Sequence, residues 1–178
     1  KFFRKIRYDL MNQNKTTKYL KYAIGEIVLV VIGILIALQI NNWNENRKNK
    51  QSEKLILNEL NKEFISNKIQ LDTVLFYNKR SFQSVKYIRS KLPIDIEKVN
   101  LDSLAYHLYY HGYTHTFNPS EGVTNALMNS STFNLISNDE LRQLLISWDD
   151  VVTDFQEEEI YAYNNYVNHL KPFEKKHF

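Results

Sequence analysis

The sequence predicts an all-α protein: one N-terminal transmembrane helix followed by an extracytoplasmic helical bundle whose first helix is long. Three observations carry this. Residues 22–40, YAIGEIVLVVIGILIALQI, are a 19-residue run in which Glu26 is the only charge. From Gln51 to Ser90 there is neither Gly nor Pro, and apolar residues recur at helical spacing. Strand-like alternation is absent, and the 178 residues include only 4 Gly and 3 Pro. The chain divides into a basic amphipathic cytoplasmic segment (1–18), a transmembrane helix (19–43) and an extracytoplasmic α-helical bundle (44–178).

Residues 1–11, KFFRKIRYDLM, set Phe2, Phe3, Ile6 and Leu10 on one helical stripe, with Arg4, Lys5, Arg7 and Asp9 elsewhere. A basic helix lying on the cytoplasmic leaflet fits this pattern. The competing account is an unstructured basic tail that only sets topology. As a helix with about 1.5 Å rise per residue, the apolar run is roughly 28 Å long, near the ~30 Å of a bilayer core. Tyr19 and Tyr22 sit at one edge and Trp43 at the other, where amphipathic rings settle among headgroups. Lys18 and Lys21 can snorkel at the first edge, and Asn41, Asn42 and Asn44 end the apolar run at the second.

Residues 1–21 carry seven Lys or Arg, against four in residues 41–60. That bias places the N-terminus in the cytoplasm of a bacterial inner membrane and the C-terminal region in the periplasm. The apolar run exceeds the roughly 7–15 residues of a cleavable signal core, so it reads as an uncleaved signal anchor. Cysteine is absent, which removes thiol chemistry and leaves the redox compartment open.

Residues 18–48, KYLKYAIGEIVLVVIGILIALQINNWNENRK, resemble the span of a family of uncharacterised single-span membrane proteins common in Bacteroidota. The FFRKIR start at Phe2–Arg7 is similar to the start of that family, and STFNLISNDELRQLL at Ser131–Leu145 to a later segment of it. The resemblance implies a helical extracytoplasmic region and members that continue further, so the end at KPFEKKHF reads as a truncation. It supplies no catalytic residues.

Glu26 needs an account, since a carboxylate in hydrocarbon costs about 2.5–3.5 kcal/mol on insertion scales, though its place about one turn inside the cytoplasmic edge lets Lys18, Lys21 or water relieve part of this. Gly33 and Ala37 lie seven and eleven residues on, which puts all three on one helix face. Gly33 and Ala37 form a small-xxx-small pair that lets a second helix approach closely. Glu26, Gly33 and Ala37 are therefore expected to form a helix–helix interface. The alternatives are a carboxylate that snorkels to the headgroups and one that belongs to a proton or ion path, for which Gln39 is the only other polar residue at hand.

In the bundle, Leu57, Leu60, Phe64, Leu71, Val74, Val85 and Ile88 form a 3–4 series in which Asn67, Asn78 and Ser81 take apolar places. These interruptions argue against a two-stranded coiled coil and for packing inside a bundle. Leu92-Pro93-Ile94-Asp95 breaks the helix. A helix over Leu101–His111 ended by Gly112, a loop over Tyr113–Pro119 and a helix over Ser120–Asn129 follow. Ser137 and Glu140 match a capping box that opens a last helix running to Leu170, with Leu141, Leu144, Leu145, Trp148, Val152 and Phe155 inward, until Pro172 stops it. Residues 41–91 hold eleven Lys/Arg and five Asp/Glu, residues 92–178 five and thirteen. Asp149, Asp150, Asp154 and Glu157–Glu159 are thus expected to face the basic long helix or to form a separately solvated face.

His107, His111 and His115 recur every fourth residue, the spacing of zinc ligands on a helix, with Glu121 as a further donor. Leu108 after His107 rules out HExxH, and the competing account is a Tyr/His-rich core edge, so no metal is assigned. Tyr161, Tyr163 and Tyr166 are read as core, with a partner-docking face as the other reading. No phosphate loop, nucleophile elbow or dinucleotide fingerprint is present, and no cofactor or small-molecule substrate is identified. The basic residues lie at the membrane and along one helix, which speaks against nucleic acid. The sequence is thus read as a non-enzymatic, membrane-anchored assembly or accessory protein in contact with lipid. It would form a homo-oligomer or a subunit of a larger membrane complex. A sensor that transmits a signal, or a subunit of an ion-driven complex using Glu26, are the alternatives.

Overall fold

A computed structural model describes residues 4–5, 8, 16–112 and 115–177. The apolar stripe expected over Phe2, Phe3, Ile6 and Leu10 lies outside these residues. Helices dominate the described structure, joined by turns and irregular segments, with no strand among the described residues. The chain forms two units, Lys1–Ser52 and Glu53–Phe178.

Helix α1 is continuous over Thr16–Ser90, 75 residues. Within the first unit its residues from Leu20 on are exposed or half-buried. Within the second unit one face of α1 is buried: Leu60, Glu63, Asn67, Val74 and Ser84. Against that face lie α2 (Leu101–Tyr110), α3 (Gly122–Met128), a 3₁₀ turn (Ser131–Leu135), α4 (Asp139–Ile146) and α5 (Trp148–Asn165). A π turn (Tyr166–Leu170) and α6 (Lys171–His177) complete the chain.

The core has two clusters. Leu60, Leu127, Leu145 and the fully buried Ile136 form the first, with Phe64 and Leu141 packed against them. Val74, Phe117 and Val152 form the second, with Leu71, Trp148 and Phe155 around them. Phe64 bridges toward Trp148, their centroids 4.8 Å apart in an edge arrangement. Full burial of each such side chain is worth about 1.5–3 kcal/mol. The inward stripes of the sequence are largely those observed, but Leu57, Val85 and Leu144 are exposed.

The polar interruptions in α1 have a definite use. Asn67 grips Ser120 from both sides: its amide nitrogen donates to the Ser120 carbonyl at 2.8 Å, and the Ser120 N–H donates to its carbonyl oxygen at 2.8 Å. Asn78 makes the same pair with His115, each bond 3.2 Å. The Ser81 hydroxyl donates to the His111 carbonyl at 2.7 Å. From the other side, Glu159 accepts from Phe117 N–H at 2.9 Å and Gln156 donates to the Phe117 carbonyl at 3.1 Å. A chain segment without secondary structure must satisfy its buried backbone groups somehow, and here side chains of α1 and α5 do it.

Glu63 continues this series. It is buried and accepts three hydrogen bonds, from Val123 N–H at 2.7 Å, Thr124 N–H at 3.0 Å and the Thr124 hydroxyl at 2.7 Å. Helix α3 has no side-chain cap of its own at Glu121. Glu63, some sixty residues earlier, supplies the missing acceptor at its first turn.

Several boundaries differ from expectation, each for a local reason. Helix α4 is capped by Asn138, whose side chain accepts from Leu141 N–H at 2.9 Å, and not by Ser137. The Ser137 N–H instead donates to Glu53 at 2.6 Å. The single last helix is split at Ser147, whose hydroxyl bonds back to the Leu144 carbonyl at 3.2 Å and competes with the helical ladder. Pro172 does not stop the chain's helical path. The π turn shifts the ladder so that Lys171 N–H donates to Tyr166 five residues back, and Pro172 then falls in the first turn of α6, where its lost N–H is harmless. Gly112 adopts no left-handed backbone. A Cβ there would lie 2.5 Å from the Tyr166 hydroxyl oxygen, so close approach of that ring, and not a helix-ending conformation, calls for glycine.

The ion pairs seen on α1, Lys62–Glu59 and Lys68–Asp72 at 2.6 Å each, close within the helix itself. Asp149, Asp150, Asp154, Glu157 and Glu158 are exposed. Contact between α1 and the later elements therefore rests on apolar packing and on side-chain hydrogen bonds to backbone groups more than on pairing of basic with acidic side chains.

Candidate functional site

In the first unit, one helix is long and apolar enough to cross a membrane by length and composition, and its most apolar stretch is unburied. Glu26 is half-buried, while Gly33 and Ala37 are exposed on the helix surface. A Cβ added at Gly25 or Gly33 would meet nothing within 4 Å, so both glycines leave open space at the surface of this chain. At the edges, Lys21 and Tyr22 are exposed, and Arg47 lies over the exposed Trp43 ring at 5.5 Å. Helix α1 includes Lys18 and Tyr19, whose side chains lie outside the described residues.

The three histidines do not converge. His107 packs its ring on Tyr87 at 4.1 Å and shares a 3.1 Å hydrogen bond with Ser84. His111 turns Nδ1 to the Leu108 carbonyl at 2.6 Å and Nε2 to Glu174 at 2.5 Å. The His115 ring stacks nearly flat on Tyr77 at 4.1 Å. Among the described residues, no group of three or more His, Asp or Glu side chains gathers as a metal site. The fourfold spacing fails to make a site because α2 ends at Tyr110, and each ring then faces a different neighbour.

Of the final tyrosines, Tyr161 and Tyr163 are exposed, which corrects their reading as core. Tyr166 alone packs inward, over Gly112. Burial raises its phenol pKa above the ordinary range, and the neighbouring Glu174 carboxylate adds to this.

The family model of a family of unknown function, DUF6090, matches residues 26–171. The chain belongs to the DUF6090 family. Comparison with curated proteins and with solved structures returned no match. The matched stretch of this DUF6090 chain begins at Glu26 and runs to Lys171. It therefore takes in most of the apolar helix together with Glu63, Asn67, Asn78 and Ser81 of α1.

Glu63 and Glu174 were missed by sequence reasoning, and Glu159 was named only as one of an acidic group expected to face α1 or solvent, not as the acceptor for Phe117 N–H. Glu63 left a signal, since it stands in the core-facing series between Leu60 and Asn67, where a carboxylate needs donors. Glu159 and Glu174 left none, because their partners are 42 and 63 residues away.

Burial raises the Glu159 carboxyl above its ordinary value of 4.5, against the opposing bond from Phe117 N–H. A carboxyl whose folded pKa is raised contributes stability that is full below the unfolded value and is lost as pH rises through the folded one. Glu159→Gln keeps an acceptor for Phe117 and removes the charge. The variant's unfolding midpoint should therefore gain on the parent's as pH rises from the ordinary carboxyl value upward, with no further gain once Glu159 is ionised. Parallel pH profiles in thermal unfolding would refute this.

Proposed function

We propose that this DUF6090 protein is a non-enzymatic, membrane-anchored assembly or accessory protein. Residues 19–43 cross the bacterial inner membrane, with the N-terminus in the cytoplasm and the helical region in the periplasm. The span oligomerises through Glu26, Gly33 and Ala37, and the helical region contacts other envelope proteins. One observation carries this reading: the most apolar stretch of α1 is unburied among the described residues, and Gly33 leaves open space there. Such a surface needs lipid or another helix, and small residues favour the helix. The excess of Lys and Arg before the span supports the orientation.

The test is cross-linking in membranes together with native mass spectrometry of the full chain in mild detergent. A dimer or higher oligomer is expected. Gly33→Leu should weaken association about tenfold, the scale of ~1–2 kcal/mol for packing and polar contacts between helices in lipid. Glu26→Gln should keep it, because the amide still hydrogen-bonds. A monomer under every mild condition, or an oligomer indifferent to Gly33→Leu, would overturn the reading.

A further inference from the structure

Within the second unit, a cavity of about 250 Å³ opens where the end of α1 meets α2, the π turn and α6. Its walls are apolar: Val85, Ile88, Leu108, Leu170 and Phe173. Two charged features meet it. Glu174 lines it but is engaged, its carboxylate bonded to His111 Nε2 at 2.5 Å and close to the Tyr166 hydroxyl. Arg89 also lines it, is exposed, and its guanidinium makes no hydrogen bond or ion pair among the described residues.

We propose that this cavity binds a small apolar carboxylate, with its hydrocarbon against the aliphatic and Phe173 walls and its carboxylate on Arg89. Size and charge both point to that class. An apolar cavity of about 150 Å³ stays dry and accepts benzene, so the larger space here suits a short alkyl chain or one substituted ring. The Glu174 carboxylate is already held by His111 and the Tyr166 hydroxyl, whereas the Arg89 guanidinium has no acceptor among the described residues and can take one from a ligand. Guanidinium pairs with carboxylate through two parallel hydrogen bonds, which gives orientation as well as affinity.

The test uses the full chain in lipid nanodiscs, with empty nanodiscs as the blank. Carboxyl-labelled octanoate is titrated and followed by the labelled carbon's chemical shift. Octanol and octylamine are titrated in parallel by the shift of the unfolding midpoint. Saturable octanoate binding is expected, tighter than that of either analogue. Arg89→Gln should weaken octanoate about tenfold, as for a hydrogen bond to a charged group, and leave octanol unchanged. Val85→Trp should abolish octanoate binding while the fold survives, because Val85 is exposed at the cavity wall and the larger ring fills the space. Absence of saturable binding, equal binding of all three probes, or affinity unchanged by Arg89→Gln or Val85→Trp would each overturn the proposal.

Discussion

Glu63→Ala is expected to destabilise the second unit by about 3–5 kcal/mol, on the scale of breaking a buried charged contact by removing one partner. The change strips the acceptor from Val123 N–H, Thr124 N–H and the Thr124 hydroxyl at once. Each stranded donor costs about 1–3 kcal/mol, less whatever water regains. Helix α3 has seven residues and no cap of its own, so it should be the first element to loosen. Glu63→Gln should cost about half as much, since one oxygen remains while the new amide faces N–H donors. Denaturant unfolding of the full chain in detergent checks the size, and hydrogen exchange at Thr124 and Leu127 checks the place. A Glu63→Ala chain as stable as the parent would show that Glu63 does not cap α3.

Asn67→Leu is the more discriminating change. The apolar series of α1 asks for a large hydrophobe at 67, so patterning alone expects leucine to stabilise the helix and its packing. The structure reverses the sign. Leucine would leave the Ser120 N–H and carbonyl without the bonds they make to Asn67 at 2.8 Å each, in a site where Asn67 itself is buried. A loss of about 2–4 kcal/mol is expected, from two buried backbone groups left unsatisfied. A raised unfolding midpoint in Asn67→Leu would sink this account. It would mean that the segment around Ser120 hydrates freely and that the polar interruption carries no weight.

These two residues also mark how far the sequence could be read. The all-α class, the break before Pro93, the helix opening after Asn100 and the apolar face of α1 follow from spacing and turn chemistry, and each is present. Asn67, Asn78 and Ser81 were visible as departures from that spacing. Their partners were not, because a hydrogen bond to a backbone group 53 or 37 residues away leaves no periodic trace. The histidine spacing misled for the opposite reason. It was periodic, but the helix that would have aligned the rings ends at Tyr110. Glu174 shows the same limit, since only the fold of the C-terminal turns brings it onto His111.

The sequence by itself determined that this chain is helical and that one helix is apolar enough to cross a membrane, because helix periodicity and hydrocarbon length are properties of neighbouring residues. Only the tertiary structure decided which polar side chains hold His111 and the stretch from His115 to Thr124. Only the tertiary structure, too, put Arg89 beside an apolar cavity with no hydrogen bond or ion pair to its guanidinium among the described residues. Both depend on contacts between residues far apart in the chain, where the free energy of a buried donor or an unmatched cation is set by what folding brings beside it.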